Sequence, residues 1–543
     1  DKLLESALNR GHNSKFVFTC RPFIKLAAVG FYQINLVGLL IRDTIDLFNA
    51  YRIPMNEVDK MNLVNETHEL TRGHPFWLNL IAAQALRGKE SVSKFLYRLK
   101  SNSAIEDEFS VLTENVLRSV WDTLNQNQRV LLRGMSEAIR AEREEVLEAM
   151  LSDVLHANRF RKALKVLKSL NLIVVKSTAN EPNLLELHPL VKSFVWQQST
   201  LGERNKYITV LVQHFAKHII ILKPRLGQFS DLSDFDYWID KIELDVNKED
   251  FKSALASLTE INSHIQASGY TEEYLRICQR LFTNVDWHKA INGEYPYFHG
   301  ELRSWAKVVI QFGKSEEADS ILTRYEVLAT GNDYTEFCDL RCYYYWYQQD
   351  FDSAIKWGQR HWDMLRGSNP SSSETPPHNL LLAWRDSQLP ENVEKALIGF
   401  LNSEPLQDFL SDNPRNPHVS ANTYGNVGRC LWYMNKLREA MICYKKSIQL
   451  LNNDRDSDTI LNKGYAYYWI AEILVKQGDK RKACFFYQNA FLKWRYVSPP
   501  RARLAEIGIT ALLGQENDVS SIRTTAEWEI NKNCDDFLSE IRI

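Results

Sequence analysis

The residues of this chain that could do chemistry are few and widely spaced. Arg21 follows the apolar run Lys15-Phe-Val-Phe-Thr-Cys20 and precedes Pro22; read alone, it is a surface arginine at a strand end. Thr71-Arg-Gly-His-Pro75 puts Gly73 two residues before a proline, and that proline suits the first position of a helix, where its missing N–H costs nothing. His188, in Leu185-Glu-Leu-His-Pro189, has the side chain that titrates nearest neutral pH, yet a lone histidine beside a strand reads equally as a packed core residue. Cys338 and Cys342 lie four apart and could share a helix face, but no histidine stands at ligand spacing, so packing is expected and no zinc. No Gly-x-x-x-x-Gly-Lys-[Ser/Thr] loop occurs, and no apolar strand ending in paired acids precedes Ser14. A nucleoside triphosphate would find neither a backbone cradle nor groups to hold Mg²⁺, so no hydrolysis is expected from these residues.

The elements that position these residues follow from periodicity. Lys15 to Cys20 reads as a short strand, and Asp46 to Tyr51 and Pro75 to Leu86 read as helices, an α/β region followed by α. Asn127 to Glu137, Arg143 to Leu151 and Asn158 to Leu170 carry the 3.6-residue period of helices. Leu172 to Val175 and Leu184 to Leu187 then form a β-ribbon joined by a polar turn containing Asn180, Glu181 and Pro182. Three helices and a two-stranded wing make a winged helix. Its third helix carries Arg159, Arg161, Lys162, Lys165 and Lys168, which in a transcription factor would lie on DNA phosphates; Phe160, Leu164, Leu167 and Leu170 form its inward face.

The chain has 543 residues, which suggests roughly three or four domains. With 44% hydrophobic and 25% charged residues and a net charge of -2, it has an ordinary globular composition. No apolar run has the roughly 18 residues of a membrane span. The near-neutral charge argues against a nucleic-acid or anionic-membrane partner engaged by the whole surface. Eight cysteines, with no Cys-x-x-Cys pair and no secretory leader, indicate reduced, cytoplasmic usage. The sequence opens at Asp1 within a helical stretch, Lys2 to Leu8, and is expected to belong to something longer.

From Asp236 onward the sequence is helical and repetitive. Tyr424, Val427, Gly428 and Leu431, followed by Ala440, Tyr444 and Ser447, recur as Tyr467, Ile470, Ala471 and Leu474, followed by Ala483, Tyr487 and Ala490. These offsets resemble the tetratricopeptide repeat (TPR), in which small residues let paired helices approach and tyrosines fill the grooves between hairpins. Alanines at 318, 354, 396, 440 and 483 recur every 36 to 44 residues, longer than the ideal repeat of about 34, so extended connections are expected. Ala254 marks a further unit, and six or seven hairpins are expected in all. Ser368 to Pro377 reads as the longest exposed loop. In Tyr343-Tyr-Tyr-Trp-Tyr347, helical spacing sends Tyr345 inward and leaves two or three of the others to line a concave face. A repeat surface of this kind binds protein.

The first 200 residues resemble the C-terminal part of the nucleotide switch of STAND NTPases, the NB-ARC and NACHT group of apoptosome proteins, plant disease-resistance receptors and bacterial antiphage sensors. Ser14 to Pro22 resembles the strand ending at sensor 1, Thr71 to Leu80 the Gly-x-Pro start of a lid helix, Val116 to Gln197 the winged helix, and Leu185 to Leu190 the Met-His-Asp motif. The last has Leu187 for Met and Pro189 for Asp. The resemblance implies that Arg21 approaches the γ-phosphate, that Pro75 after Gly73 packs on adenine, and that His188 contacts the β-phosphate of ADP and holds a closed state. It divides the chain into an NTPase-core remnant (1–45), helical lid (46–115), winged helix (116–200), connecting helix (201–235) and TPR-like repeats (236–543). The expected fold is thus mainly α, with a partial α/β nucleotide-binding remnant, a winged helix and a TPR-like α-solenoid. The cofactor implied is ADP or ATP, with Mg²⁺ in the full-length protein only; the partners are a protein ligand on the repeats and further copies of the chain when active, with no membrane. A winged-helix regulator on DNA and a passive TPR scaffold are the other two readings.

Overall fold

The structure, a computed structural model, describes residues 38–86, five positions between 87 and 108, and residues 109–178, 181–368, 375–411, 419–452, 457–513 and 525–541. The strand expected at Lys15 to Cys20, the helix at Lys2 to Leu8, Arg21 and Asn180 lie outside the described residues. The chain packs as two compact units, one reaching Gln198 and the other running on from Ser199; Glu137–Arg140 and Ala149–Asp153 belong to the second.

The first unit begins with α1 (Ile41–Ala50), α2 (Glu57–Thr71) and α3 (Pro75–Ala85). Helix α3 is apolar on every side, with Trp77, Leu78, Leu80 and Ile81 all fully buried, so it is the core of this trio. Next come α4 (Phe109–Thr123), α5 (Gln126–Glu137), β1 (Glu142–Arg143), α6 (Glu144–Met150), α7 (Ala157–Ser169), β2 (Ile173–Thr178), β3 (Glu181–Leu187) and α8 (Pro189–Gln197). The strands form an antiparallel sheet in the order β1-β3-β2, with Ile173 opposite Leu187 and Val175 opposite Leu185. Phe160, Leu164, Leu167 and Leu170 are all buried, as their spacing requires of the inward face of α7 and its end. The ribbon is longer than the sequence suggests, since Glu181 and Pro182, expected in the turn, lie in β3. Between the pairs Lys176–Leu184 and Thr178–Glu181 the register shifts, β3 advancing three residues for two of β2. Pro182 falls in that bulge, where a ladder tolerates a missing N–H.

The second unit opens with α9 (Leu201–Leu222), capped by Thr200, whose hydroxyl accepts from Glu203 N–H while the Glu203 carboxylate accepts from Thr200 N–H at 3.0 Å. Helical hairpins follow: α10 (Asp236–Asn247) with α11 (Phe251–Ala267), α12 (Thr271–Asn284) with the short α13 (Trp287–Ile291), α14 (Phe298–Gln311) with α15 (Ser315–Leu328), and α16 (Gly331–Tyr347) with α17 (Phe351–Ser368). The series continues with α18 (His378–Asp386) and α19 (Pro390–Leu401), the single turn α20 (Leu406–Leu410), α21 (Ala421–Tyr433) with α22 (Leu437–Leu451), α23 (Ser457–Lys476) with α24 (Lys480–Trp494), and then α25 (Pro499–Leu513) and α26 (Glu527–Glu540). The chain is mainly α, and its C-terminal hairpins are TPR-like. Asp250, Asp350 and Asp479 each cap the second helix of their hairpin, accepting from the N–H three residues on at 3.1–3.2 Å. Ala254, Ala318, Ala354, Ala396, Ala440 and Ala483 are all fully buried between paired helices. Gly428 is tighter still, because a Cβ there would stand 2.6 Å from the Tyr444 ring.

Two details differ from the sequence reading. The repeats end in two helices, α25 and α26, that lack the tyrosine and alanine signature and both pack on α24. On α16 it is Tyr343, Trp346 and Tyr347 that are buried, whereas Tyr345 is half-exposed. The reason is a contact between distant repeats: the Tyr347 hydroxyl and Ser498 Oγ both donate to the Gln311 carbonyl at 2.9 Å. The face assigned to ligand is therefore partly core. Cys338 and Cys342 are buried, and burial pushes the Cys338 thiol up to about 11. No helix among the described residues is long and apolar enough to cross a membrane.

Candidate functional site

Within the first unit, the start of α3, the end of α7, strand β2 and the start of α8 surround a cleft of about 990 Å³, at the upper end of the usual range of about 300–1,000 Å³ for small-molecule sites. The turn entering α3 is built from backbone. Arg72 and Gly73 are both left-handed, at φ 50° and 72°, and Leu39 N–H donates to the Gly73 carbonyl at 2.8 Å. A Cβ on Gly73 would stand 2.2 Å from the Leu39 carbonyl oxygen, so only glycine allows the two segments to cross. Gly73 is buried and shapes the cleft without lining it; Pro75 at the first position of α3 is exposed on its wall.

His188 reaches the same cleft from the other side. It caps α8, its Nδ1 accepting from Leu190 N–H at 3.3 Å, and Pro189 at the first position of that helix leaves no competing donor. With Nδ1 an acceptor, the proton of the neutral ring is assigned to Nε2. The ring lies flat on Phe76, centroids 4.0 Å apart at 18°. Of the four residues named from the sequence, the structure thus brings Pro75 and His188 to one cleft, places Gly73 behind it, and does not describe Arg21.

Four further groups complete the site. Asn171, left-handed at φ 55°, ends α7 and donates to the Asn79 carbonyl at 3.3 Å and to the Tyr51 hydroxyl, which itself donates to Asn79 Oδ1 at 2.9 Å. This triad ties α1, α3 and α7 together behind the cleft, and burial raises the Tyr51 phenol, although the Asn171 bond opposes it. Lys168 supplies positive charge to the wall, its Nζ 2.9 Å from Glu144. Lys168 stands out in the sequence only as one of five basic residues on α7, and two of those five are engaged by acids, since Arg161 also pairs with Glu148 at 2.9 Å. Asn171 has a weaker signal, an asparagine just past a helix end, where left-handed geometry is common.

The arrangement offers an exposed proline, an aromatic ring under an imidazole, a lysine ammonium and an N–H donor on Nε2, all around one cleft. That is chemistry for a planar group at one end and an anion at the other. In the second unit, residues 421–453 and 464–491, covering α21 to α24, match the tetratricopeptide repeat family model. No curated protein matches the sequence. Among solved structures the fold is similar to that of a signal transduction ATPase with numerous domains (STAND) carrying a tetratricopeptide repeat sensor, from Pyrococcus horikoshii, at 16% identity and a TM-score of 0.44 over 93% of this chain. The chain spans 66% of the length of that protein.

Proposed function

We propose that this chain is the lid, winged helix and sensor of a STAND-type signalling switch, in which the cleft holds ADP in the resting state and the TPR-like repeats bind a protein ligand. The observation that carries the reading is the meeting of Pro75 and His188, far apart in sequence, across one cleft large enough for a nucleotide. Pro75 is the platform for adenine, Nε2 of His188 donates to the β-phosphate, and Phe76 beneath the imidazole holds the ring in that orientation. Lys168 adds favourable charge for phosphate. Arg21 joins the γ-phosphate when ATP replaces ADP. The nucleotide supplies the charge whose change the residues sense; these residues bind and orient it, and no hydrolytic step is assigned to them. Ligand captured by the repeats shifts the balance toward a state that releases ADP and self-associates, by binding that state better.

The test is made on the full-length protein. His188→Ala should lower the ADP that co-purifies and raise the fraction of oligomer, and Phe76→Ala should do the same more weakly. Undiminished ADP content in the His188 variant would refute the reading.

A further inference from the structure

Five charged side chains converge inside the coil of repeats, where the ends of α16 and α18 meet α21, α23 and the first turn of α25. Arg385, Asp386, Arg429, Glu472 and Arg501 line a cavity of about 210 Å³ that reaches the exposed Gln349 and Gln388. Four of them are paired. Arg385 Nε donates to Asp386 Oδ1 at 2.9 Å, and Arg429 donates to Glu472. Asp386 accepts two further bonds, from Trp346 Nε1 at 2.8 Å and the Tyr433 hydroxyl at 3.2 Å. Arg501 has no carboxylate partner among the described residues. Its guanidinium lies over the rings of Tyr347 and Tyr465 at 4.7 and 5.5 Å, and its Nε is buried without an acceptor. The Tyr465 hydroxyl, on the same cavity, is also buried without a partner.

Three guanidinium groups against two carboxylates leave one positive charge in an aromatic-walled space. Burying a cation and a hydroxyl with unmet donors is costly, and the cost is recovered when an anion completes the set. We propose that this cavity binds a carboxylate carried on an apolar or aromatic body about the size of one amino-acid residue, with Arg501 as its counter-ion and Tyr465 as the second donor. One surplus charge matches a monoanion better than a phosphate dianion. The volume lies below the roughly 300 Å³ at which drug-sized sites begin, which suits a single residue, and the walls formed by Trp346, Trp469 and Trp494 suit a ring. The carboxylate can come from a peptide or from a free organic acid; only the peptide source rests on the protein-sensing reading above, and nucleotide retention does not enter the test.

The experiment is thermal unfolding and tryptophan fluorescence of the intact chain with N-acetyl-tyrosine, with N-acetyl-tyrosinamide and with inorganic phosphate at matched ionic strength. The acid should raise Tm and change the fluorescence, and the amide should do neither. Arg501→Met should weaken the acid's binding about tenfold or more, and Tyr465→Phe should weaken it less. Without any ligand, Arg501→Met should raise Tm, because an unpaired buried charge is removed, whereas Arg429→Met should lower it by stranding Glu472. Equal shifts by acid and amide, an equal shift by phosphate, no shift by any probe, or an undiminished shift in Arg501→Met would overturn the proposal. If Arg501→Met does not fold, unaltered acid binding by Tyr465→Phe overturns it. A tyrosine-ended tetrapeptide binding more tightly than N-acetyl-tyrosine, and only with a free carboxyl end, assigns the source to a peptide; equal affinity assigns it to a free acid, and both support the site.

Discussion

Replacing Gly73 with alanine separates backbone geometry from side-chain chemistry at the cleft. At φ 72° an alanine costs about 1–2 kcal/mol relative to glycine. Its Cβ would also stand 2.2 Å from the Leu39 carbonyl oxygen and 2.8 Å from Leu39 N, both backbone atoms that cannot rotate aside. The crossing must open, and the bond from Leu39 N–H to the Gly73 carbonyl is lost at about 0.5–1.5 kcal/mol. The sum is about 1.5–3.5 kcal/mol, or amide exchange in α3 faster by roughly 10- to 400-fold if that helix opens through this turn. Hydrogen exchange read on peptides covering residues 71–86 measures this directly. Gly478→Ala is the control: φ there is 85° with nothing near the added methyl, so it carries the strain without the clash. Exchange in α3 changed by less than about threefold would refute the reasoning, as would a Gly478→Ala effect on its own turn equal to that of Gly73→Ala.

Three other outcomes are expected. Gly464→Ala puts a methyl 2.2–2.5 Å from the fully buried Trp494 indole and should destabilise the repeats by about 3 kcal/mol, whereas Gly425→Ala meets nothing closer than 3.5 Å and should be neutral or stabilise by up to about 1 kcal/mol; urea unfolding gives both signs. Asn171→Ala loses its bonds to Tyr51 and Asn79 as well as left-handed tolerance and should cost about 2 kcal/mol, and Asn171→Gly, which keeps the geometry, should cost less by the same measurement. Burial pushes Glu301 up to about 7 although Thr259 and Asn262 bond to it; its folded value lies above the unfolded one, so its contribution is complete below about pH 4.5 and is lost as pH rises to 7, and Glu301→Gln should flatten that slope in Tm against pH.

The sequence makes the repeats legible because their signal is local: small residues at fixed offsets, an aspartate at the turn and tyrosines one helix apart. The same locality explains what it hides. Tyr345 carries the right spacing to face inward, yet Tyr347 is among those buried in its place, because its partners Gln311 and Ser498 belong to other hairpins. In the first unit Pro75 and His188 can be singled out one at a time, each by its place beside a helix start. Phe76 and Asn171 could not, since a phenylalanine after a proline and an asparagine after a helix are common, and only the fold brings one beneath His188 and the other onto Tyr51. Arg501 was hidden for a different reason: charge bookkeeping inside a cavity requires knowing which acids are already taken.

The contacts that hide Tyr347 also change how the repeats hold together. In an ideal solenoid each hairpin touches only its neighbours, and stability is a sum over adjacent interfaces. Here Ser498 at the start of α25 is bonded to Gln311 at the end of α14, and Lys307 on α14 pairs with Asp458 on α23 at 2.9 Å. Buried apolar residues form one continuous core from Ile219 to Leu538. Late hairpins therefore lean on early ones, which closes the coil and encloses Arg501 and its neighbours in a cavity instead of leaving them on an open groove. A ligand that completes that cavity would bear on α16, α18, α21, α23 and α25 together, so a small group bound there has the reach to bias the whole set of repeats, which a ligand on one outer helix would not.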